Sequence, residues 1–178
     1  MHRSTEELQG FLDNILAAPT EQGRIEMIVR RPESDQREVV DSARLDTEQG
    51  LIGDNWRQRV DDRGNPYLHA QLTLMNSRVA DAVAVERERW ALAGDQIYVD
   101  MNLSIENLPP GSKIRVGEAV VEISETPHTG CPKFAARFGK DALRFANVGV
   151  GRENRFRGVN AFIVESGEVR VGDKVARI

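Results

Sequence analysis

The sequence predicts a mainly β fold with a few short helices, closed or nearly closed into a barrel. Three observations lead to this prediction. Short apolar segments with strand-like alternation recur between polar turns. Strands and helices do not alternate in the way that builds a parallel sheet. Finally, no linker-like segment divides the 178 residues, a length suited to one core. Many short strands with closely spaced turns therefore favour one barrel-like domain.

The first 22 residues predict an amphipathic helix that extends this domain. Ser4 and Glu7 have the spacing of a capping box, and apolar residues then recur at helical intervals from Leu8 to Leu16. Such a stripe is typical of a helix that packs on the body of a domain, and a homodimer contact is the alternative. The barrel-like domain is expected to span residues 23–178.

Later elements follow from turn and cap residues. The segments RIEMIVRR and REVVDSARL flank the polar turn PESDQ, which predicts a hairpin. Asn76 is the expected N-cap of a helix that ends at Gly94. The stretches IRVGEAV at 114–120 and VRVGDKV at 169–175 each contain a strand, a Gly-acidic turn and another strand. They predict two hairpins of one type.

Composition limits the location and the partners. The single cysteine excludes an internal disulfide, and no stretch approaches the roughly 20 apolar residues of a membrane span. Glu6, Glu7 and Asp13 interrupt the place where a secretory signal would be apolar. We therefore expect a cytoplasmic protein with no membrane association. A net charge of -4 and sparse aromatic residues argue against nucleic acid as a partner.

Charge is distributed unevenly along the chain. Residues 127–178 carry ten Lys or Arg and five Asp or Glu, whereas the remainder is acidic overall. The basic part contains the only cysteine, Cys131. The simpler explanation is a solvent-exposed surface whose charges are unevenly distributed. The more specific hypothesis is an anion-binding site near Cys131.

The stretch PHTGCPKFAARFG places Cys131 at a strand-to-helix junction. Pro132 suits the first position of a helix, so Cys131 is expected at the helix N-terminus, where backbone N–H groups favour a thiolate. Lys133 and Arg137 add positive charge within about one turn. We expect the pKa of the thiol to lie below its usual value of about 8.5. Such a thiolate is a nucleophile and a soft metal ligand, although a lone cysteine is often only a small buried hydrophobe.

Two further motifs hold polar candidates. His128 precedes the cysteine closely, and a structural hydrogen bond explains it as well as a functional role does. In GLIGDNW at 50–56, two glycines permit a tight loop whose amides face a ligand, with Asp54 as a hydrogen-bond acceptor. A structural turn explains that loop almost equally well.

These motifs resemble those of MOSC domains, the modules named for the C-terminal part of molybdenum cofactor sulfurases. TPHTGCPKFAARFG is similar to the cysteine motif of the family, GLIGDNW to its Gly-x-x-Gly-Asp segment and RGVNAFIVESGEVRVGDKV to its barrel-closing end. The resemblance covers most of the chain from about residue 23. It implies a MOSC barrel, similar to the β-barrel domain of pyruvate kinase.

The resemblance also implies roles for individual residues. Cys131 becomes a sulfur carrier or the ligand of molybdenum in a pterin cofactor, and His128 positions a proton or an oxo ligand. Lys133, Arg137 and Thr129 become candidates for holding the cofactor. Asp54 would accept hydrogen bonds from pterin nitrogens.

The function implied by the resemblance is a protein that binds molybdenum cofactor (molybdopterin) and supports reduction of N-hydroxylated compounds. The alternatives are a non-catalytic persulfide carrier and a partner-binding module in which the cysteine is structural. The chain has no room for the desulfurase domain of the sulfurases, so pyridoxal phosphate is not expected. A separate electron-transfer or sulfur-donor protein is the expected partner.

Overall fold

The computed structural model describes residues 2–178, and the predicted mainly β fold is confirmed. The strands are β1 (Gln22–Arg30), β2 (Glu38–Val40), β3 (Ser42–Asp46), β4 (Gly50–Leu51), β5 (Leu72–Asn76), β6 (Ile97–Val99), β7 (Lys113–Val116), β8 (Ala119–Pro127), β9 (Val159–Glu165), β10 (Gly167–Arg170) and β11 (Lys174–Arg177). The helices are α1 (Thr5–Gln9), α2 (Leu12–Leu16), α3 (Ser77–Ala84), α4 (Pro132–Phe138), α5 (Lys140–Asn147) and α6 (Val150–Glu153). Three 3-10 helices lie at Trp56–Gln58, Leu68–Ala70 and Arg87–Ala93.

Seven strands close the barrel in the order β11-β7-β8-β9-β5-β6-β1, with β11 paired to β1 at the seam. Strands β5 and β6 are parallel, and the other neighbours in the barrel are antiparallel. Strand β2 pairs with the far end of β1, which confirms the hairpin predicted around PESDQ. A second sheet has the order β10-β3-β4.

The residues of β1 alternate between two hydrophobic clusters. Ile28 belongs to the cluster formed mainly by barrel strands, whereas Met27 and Val29 belong to a cluster that includes the helices. Successive side chains of a strand point to opposite faces, so β1 contributes to both clusters. Phe134 and Phe138 from α4 are buried in the second cluster, which fixes this helix on the outside of the barrel.

Two short helices occupy the N-terminal segment, where one was predicted. The capping box is present, because the Ser4 Oγ accepts a hydrogen bond from Glu7 N at 3.2 Å and Ser4 N donates to a Glu7 carboxylate oxygen at 2.7 Å. Helix α1 ends at Gly10, and α2 starts after Phe11. Leu8 and Ile15 are buried in the second cluster, so these helices pack on the body of the domain.

The segment from Asn76 to Gly94 also contains two helices where one was predicted. Asn76 caps α3 by accepting a hydrogen bond from Arg78 N at 2.9 Å, as predicted. The helix then breaks at Val85, whose φ is +70°, and a 3-10 helix continues to Gly94. No helix within residues 2–178 is long and apolar enough to cross a membrane.

The prediction of a second hairpin, at 169–175, is wrong. Strand β10 pairs with β3 in the small sheet, whereas β11 pairs with β7 and β1 in the barrel. The first copy does form a hairpin, between β7 and β8. The same local pattern has different outcomes because closure of the barrel requires β11 to pair with β1, a strand about 150 residues earlier in the chain.

Candidate functional site

Cys131 lines a cleft of about 530 Å³ on the outside of the barrel. The segments that meet there are the loop after β1, the region around Trp56–Gln58, the 3-10 helix before β5 with the start of β5, the turn before β6, the loop from β8 into α4 and the start of β9. We call this the cysteine cleft. Of the residues predicted for the site, it brings together His128, Thr129, Cys131, Lys133 and Arg137. Asp54 is not among its lining residues.

Cys131 is the N-cap residue of α4, as the sequence predicted. Its backbone is extended, with φ at -122° and ψ at 175°, and Pro132 follows at the first helical position. The residue is exposed and makes no disulfide. Its thiol is therefore available to a ligand in the cleft.

The surroundings of Cys131 favour its thiolate. Partial burial of the sulfur raises the pKa of Cys131. The backbone amides of Phe134 and Lys133 lower it, the charges of Arg157 and Arg137 lower it further, and the net direction is downward. The predicted activation of this thiol follows from its position at the helix N-terminus beside two arginines.

A triad of Arg157, Asp95 and His128 forms part of the wall of the cysteine cleft, and its central carboxylate is fully buried. One Asp95 oxygen lies 2.9 Å from His128 Nε2, and the other accepts a hydrogen bond from Arg157 Nη1 at 2.5 Å. Arg157 Nη2 donates to the Ala93 carbonyl at 2.8 Å. The guanidinium also lies over the ring of Phe134, at 5.1 Å from its centre. Arg157 thus connects the triad to the helix that Cys131 begins.

Gly158 permits the close packing around this triad. Its φ is +107°, a conformation that side-chain-bearing residues rarely adopt. A Cβ atom there would lie 2.4 Å from the Leu74 carbonyl oxygen and 3.3 Å from both Asp95 Oδ1 and His128 Cδ2. Glycine is therefore required next to Arg157.

A second buried pair, Asp54 and Arg31, lies beside the cleft. The Asp54 carboxylate accepts from Arg31 N, Nε and Nη2 at 2.9, 2.8 and 2.8 Å, and from Trp56 N at 3.0 Å. The Asp54 side chain is fully buried. Arg31 also donates to the Gly94 carbonyl at 3.0 Å. Protein donors thus occupy the carboxylate that we predicted to receive a ligand.

The GLIGDNW loop has a structural basis for its two glycines. Gly50 and Gly53 have φ values of +76° and +89°. A Cβ on Gly53 would lie 2.8 Å from the side chain of Arg30, and one on Gly50 would lie 3.0 Å from the ring of Trp56. The glycines let the loop turn tightly and present Asp54 to Arg31.

Lys133 and Arg137 share one carboxylate. Lys133 Nζ and Arg137 Nη2 each lie 3.1 Å from the same oxygen of Asp35, which is exposed and has a φ of +61°. The hydrogen bond from Lys133 lowers the pKa of Asp35. Arg137 also donates to the Leu92 carbonyl at 2.8 Å, which holds it beside the cleft.

Two further arginines in the cysteine cleft make no ion pair with a carboxylate of residues 2–178. Arg37 is half-buried, and its Nε is buried with no hydrogen-bond partner in this part of the chain. Burial, Arg137 and Arg31 all lower the pKa of Arg37. Arg59 lies in the same cleft and is exposed. Together they add positive charge to the cleft without a direct ion pair to these carboxylates.

Four further residues of the cleft region were not predicted from the sequence: Asp95, Arg157, Arg31 and Arg37. Asp95 directly follows Gly94 shortly before β6, and Arg157 directly precedes Gly158 before β9. Their position beside a glycine that leads into a strand was the only sequence signal available. His, Cys, Asp and Glu side chains of residues 2–178 form no group of three that could hold a metal ion. The cysteine cleft therefore offers a single thiol and an excess of cations.

Comparisons with known proteins agree with the observed fold. The MOSC domain model matches residues 61–176. The fold is similar to that of YuaD from Bacillus subtilis, with a TM-score of 0.58 and 16% identity over 86% of this chain and 94% of that one. It is also similar to YiiM from Escherichia coli, with a TM-score of 0.56 and 21% identity over 87% of this chain and 69% of that one.

No curated protein matches the sequence. At these identities, likeness to the solved structures concerns the fold alone. The family match, however, covers more than half of the chain and includes the cysteine loop. This chain therefore belongs to the MOSC domain family.

Proposed function

We propose that this protein binds molybdenum cofactor through Cys131 and supports reduction of N-hydroxylated compounds, with electrons from a separate redox protein. One observation carries the proposal: an exposed thiol with a lowered pKa shares a cleft with Arg37 and Arg59, which form no ion pair with a carboxylate of residues 2–178. A soft thiolate suits a transition metal, and unpaired arginines suit an anion.

The residues of the cleft fit such a cofactor in two respects. The thiolate of Cys131 supplies one soft ligand at the start of α4. The buried and unpartnered Nε of Arg37 fits a group that accepts hydrogen bonds, and the phosphate of the cofactor is such a group. Arg59 adds a second cation. We assign the phosphate to Arg37 and Arg59 first, because Asp35 already pairs with Lys133 and Arg137.

When bound, the molybdenum centre supplies two-electron chemistry at an N–O bond. The residues of this chain hold and orient the reactants. Cys131 binds the metal, Thr129 lines the adjacent wall, and His128 offers an imidazole next to the reacting region. Asp54 acts at one remove, because it fixes the guanidinium of Arg31 at the edge of the cleft.

A persulfide carrier is the second candidate, and the exposure of Cys131 favours it. A low thiol pKa assists attack on a donor sulfur as well as metal binding. The two functions differ in what the purified protein contains. A carrier holds a labile sulfur on Cys131 and no metal. A partner-binding module with a structural cysteine would hold neither.

The test is molybdenum and pterin analysis of protein purified from a molybdenum-replete host that makes the cofactor. We expect about one cofactor per chain in the wild type, a large loss in Cys131→Ser and a partial loss in Arg37→Gln. Arg115→Gln is the matched control, because Arg115 is exposed on β7, outside the cleft. Wild-type protein without molybdenum, or an undiminished content in Cys131→Ser, would overturn the proposal. Labile sulfur without metal would favour the carrier.

A further inference from the structure

We infer that Asp95 and Arg157 are positioning residues that hold His128 as a neutral imidazole with its proton on Nε2. In this form Nδ1 accepts a hydrogen bond from the N–H or O–H group of a bound substrate. The substrate part of this inference rests on the proposed function, and the state of the imidazole does not. The expected substrates are therefore N-hydroxylated compounds that retain such an N–H or O–H donor.

Asp95 carries a negative charge at the centre of the triad. Its carboxylate is fully buried, with one oxygen bonded to Arg157 and the other to His128. Burial raises the pKa of Asp95, but Arg157 and His128 outweigh this effect and lower it to about 2. Asp95 is therefore ionised at neutral pH, and an ionised carboxylate has no proton to donate.

The charge of Asp95 determines the tautomer of His128. Because the carboxylate of Asp95 only accepts, the 2.9 Å contact requires His128 Nε2 to carry the proton. A second proton, on Nδ1, is disfavoured. Burial and the charge of Arg157 lower the pKa of His128, Asp95 opposes them, and Arg31 lowers it further. The ring is thus neutral at pH 7, with an unprotonated Nδ1.

The Nδ1 atom of His128 lies on the other side of the ring from the nitrogen that Asp95 holds. Within residues 2–178 it has no hydrogen-bond partner. The side chain is 19% exposed and lines the cysteine cleft. An acceptor held rigidly through its opposite nitrogen, and open on this side, is suited to a ligand donor.

This arrangement selects between substrates. A site built to bond a substrate O–H or N–H discriminates against analogues that lack it. Hydroxylamines carry such donors, whereas tertiary amine N-oxides carry none and present only an oxygen acceptor. Nδ1 would face that oxygen with its own lone pair. The chain should therefore prefer hydroxylamines.

The first experiment is two-bond ¹H–¹⁵N NMR of the full chain at pH 7, with the signals of His128 assigned by loss in His128→Gln. We expect the pattern of the neutral Nε2–H tautomer. In Asp95→Asn, whose amide can donate, we expect a shift toward Nδ1–H, and in Arg157→Lys the wild-type pattern. A wild-type Nδ1–H tautomer or imidazolium overturns the inference even if neither variant folds.

The second experiment tests the substrate. In cofactor-loaded protein with an electron donor, we compare kcat/KM for an N-alkylhydroxylamine and for a tertiary amine N-oxide. The wild type should prefer the hydroxylamine, and the preference should fall about tenfold in His128→Ala, the worth of a typical hydrogen bond. An unchanged ratio overturns the substrate part. No activity on either compound overturns the proposed function along with that part, while the NMR result still decides the state of His128.

Discussion

The molecule holds two buried arginine–aspartate pairs side by side, and they are built differently. Asp54 accepts four hydrogen bonds, three from Arg31 and one from Trp56 N. Asp95 accepts from Arg157 and also bonds the imidazole of His128. All four hydrogen bonds of Asp54 come from Arg31 and from the backbone of its own loop, whereas the Asp95 carboxylate also bonds a titratable ring that lines the cleft.

The difference shows how to separate a structural ion pair from a functional one. Both carboxylates are buried and both hold an arginine, so burial and pairing alone do not distinguish them. The distinguishing feature is where the remaining hydrogen bond goes. For Asp54 it goes to the backbone of its own loop, and for Asp95 it goes to a side chain open to ligand. Asp54 therefore bonds to the site through Arg31, whereas Asp95 bonds directly to a side chain that lines the cleft.

The largest expected effect is on stability when Asp54 is removed. Asp54→Ala leaves the buried guanidinium of Arg31 without its counter-charge, and should lower the free energy of unfolding by about 3 to 5 kcal/mol. Urea denaturation measures it. Glu38→Ala is the control, because Glu38 forms an ion pair with Arg30 that is largely solvated, and should change stability by less than about 1 kcal/mol. Equal losses of stability in the two variants would show that burial of the Asp54–Arg31 pair does not set its contribution to stability.

A substitution beside the second pair should have the next largest effect. Gly158→Ala places a Cβ close to the Leu74 carbonyl in a conformation that alanine rarely adopts, so we expect a loss of about 3 kcal/mol. The displaced triad should also change the NMR signals of His128. Gly172→Ala is the control, since Gly172 has a similar φ of +92° and open space around it. If both variants behave alike, close packing at the triad is not what requires Gly158.

Acid should weaken the second pair within a defined range of pH. Asp95 has a pKa of about 2 in the folded chain, below its ordinary 3.8. Its contribution is therefore fully present above about pH 4 and is lost as the pH falls toward 2. The loss amounts to about 2 kcal/mol. Urea denaturation of the wild type and of Asp95→Asn at a series of pH values measures it. Parallel curves for the two proteins would contradict the assignment.

The smallest expected effect is on the thiol. Arg137→Gln removes one of the charges that stabilise the thiolate, so the pKa of Cys131 should rise by a fraction of a unit. The pH dependence of alkylation by iodoacetamide measures this shift. Arg115→Gln should leave the profile unchanged. A profile that does not move in Arg137→Gln would show that the charge of Arg137 does not contribute to the reactivity of the thiol.

The sequence was sufficient where the signal was local. The capping box at Ser4, the hairpin of β1 and β2, and the helix start at Pro132 each depend on residues within a few positions of one another. The closed barrel was predicted as a class, from the number and spacing of the strands. Local chemistry also accounts for the lowered pKa of Cys131.

Features that depend on distant residues were not predictable. Asp95 and Arg157 are 62 positions apart, and Asp54 meets Arg31 across 23 positions. No local pattern reports either pairing. The hairpin predicted at 169–175 failed for the same reason, because closure of the barrel takes β11 away from β10. The sequence therefore predicted Cys131 as a candidate site residue, but not Asp95, which contacts its neighbour His128, or Arg157, which contacts Asp95.

The most direct test of the proposed function is X-ray absorption at the molybdenum edge of cofactor-loaded protein, with Cys131→Ser prepared in parallel. We predict that the metal has one sulfur ligand more in the wild type than in the variant, or that the variant retains no metal at all. The same molybdenum content with an identical sulfur shell in both proteins would contradict the role of Cys131 as the metal ligand.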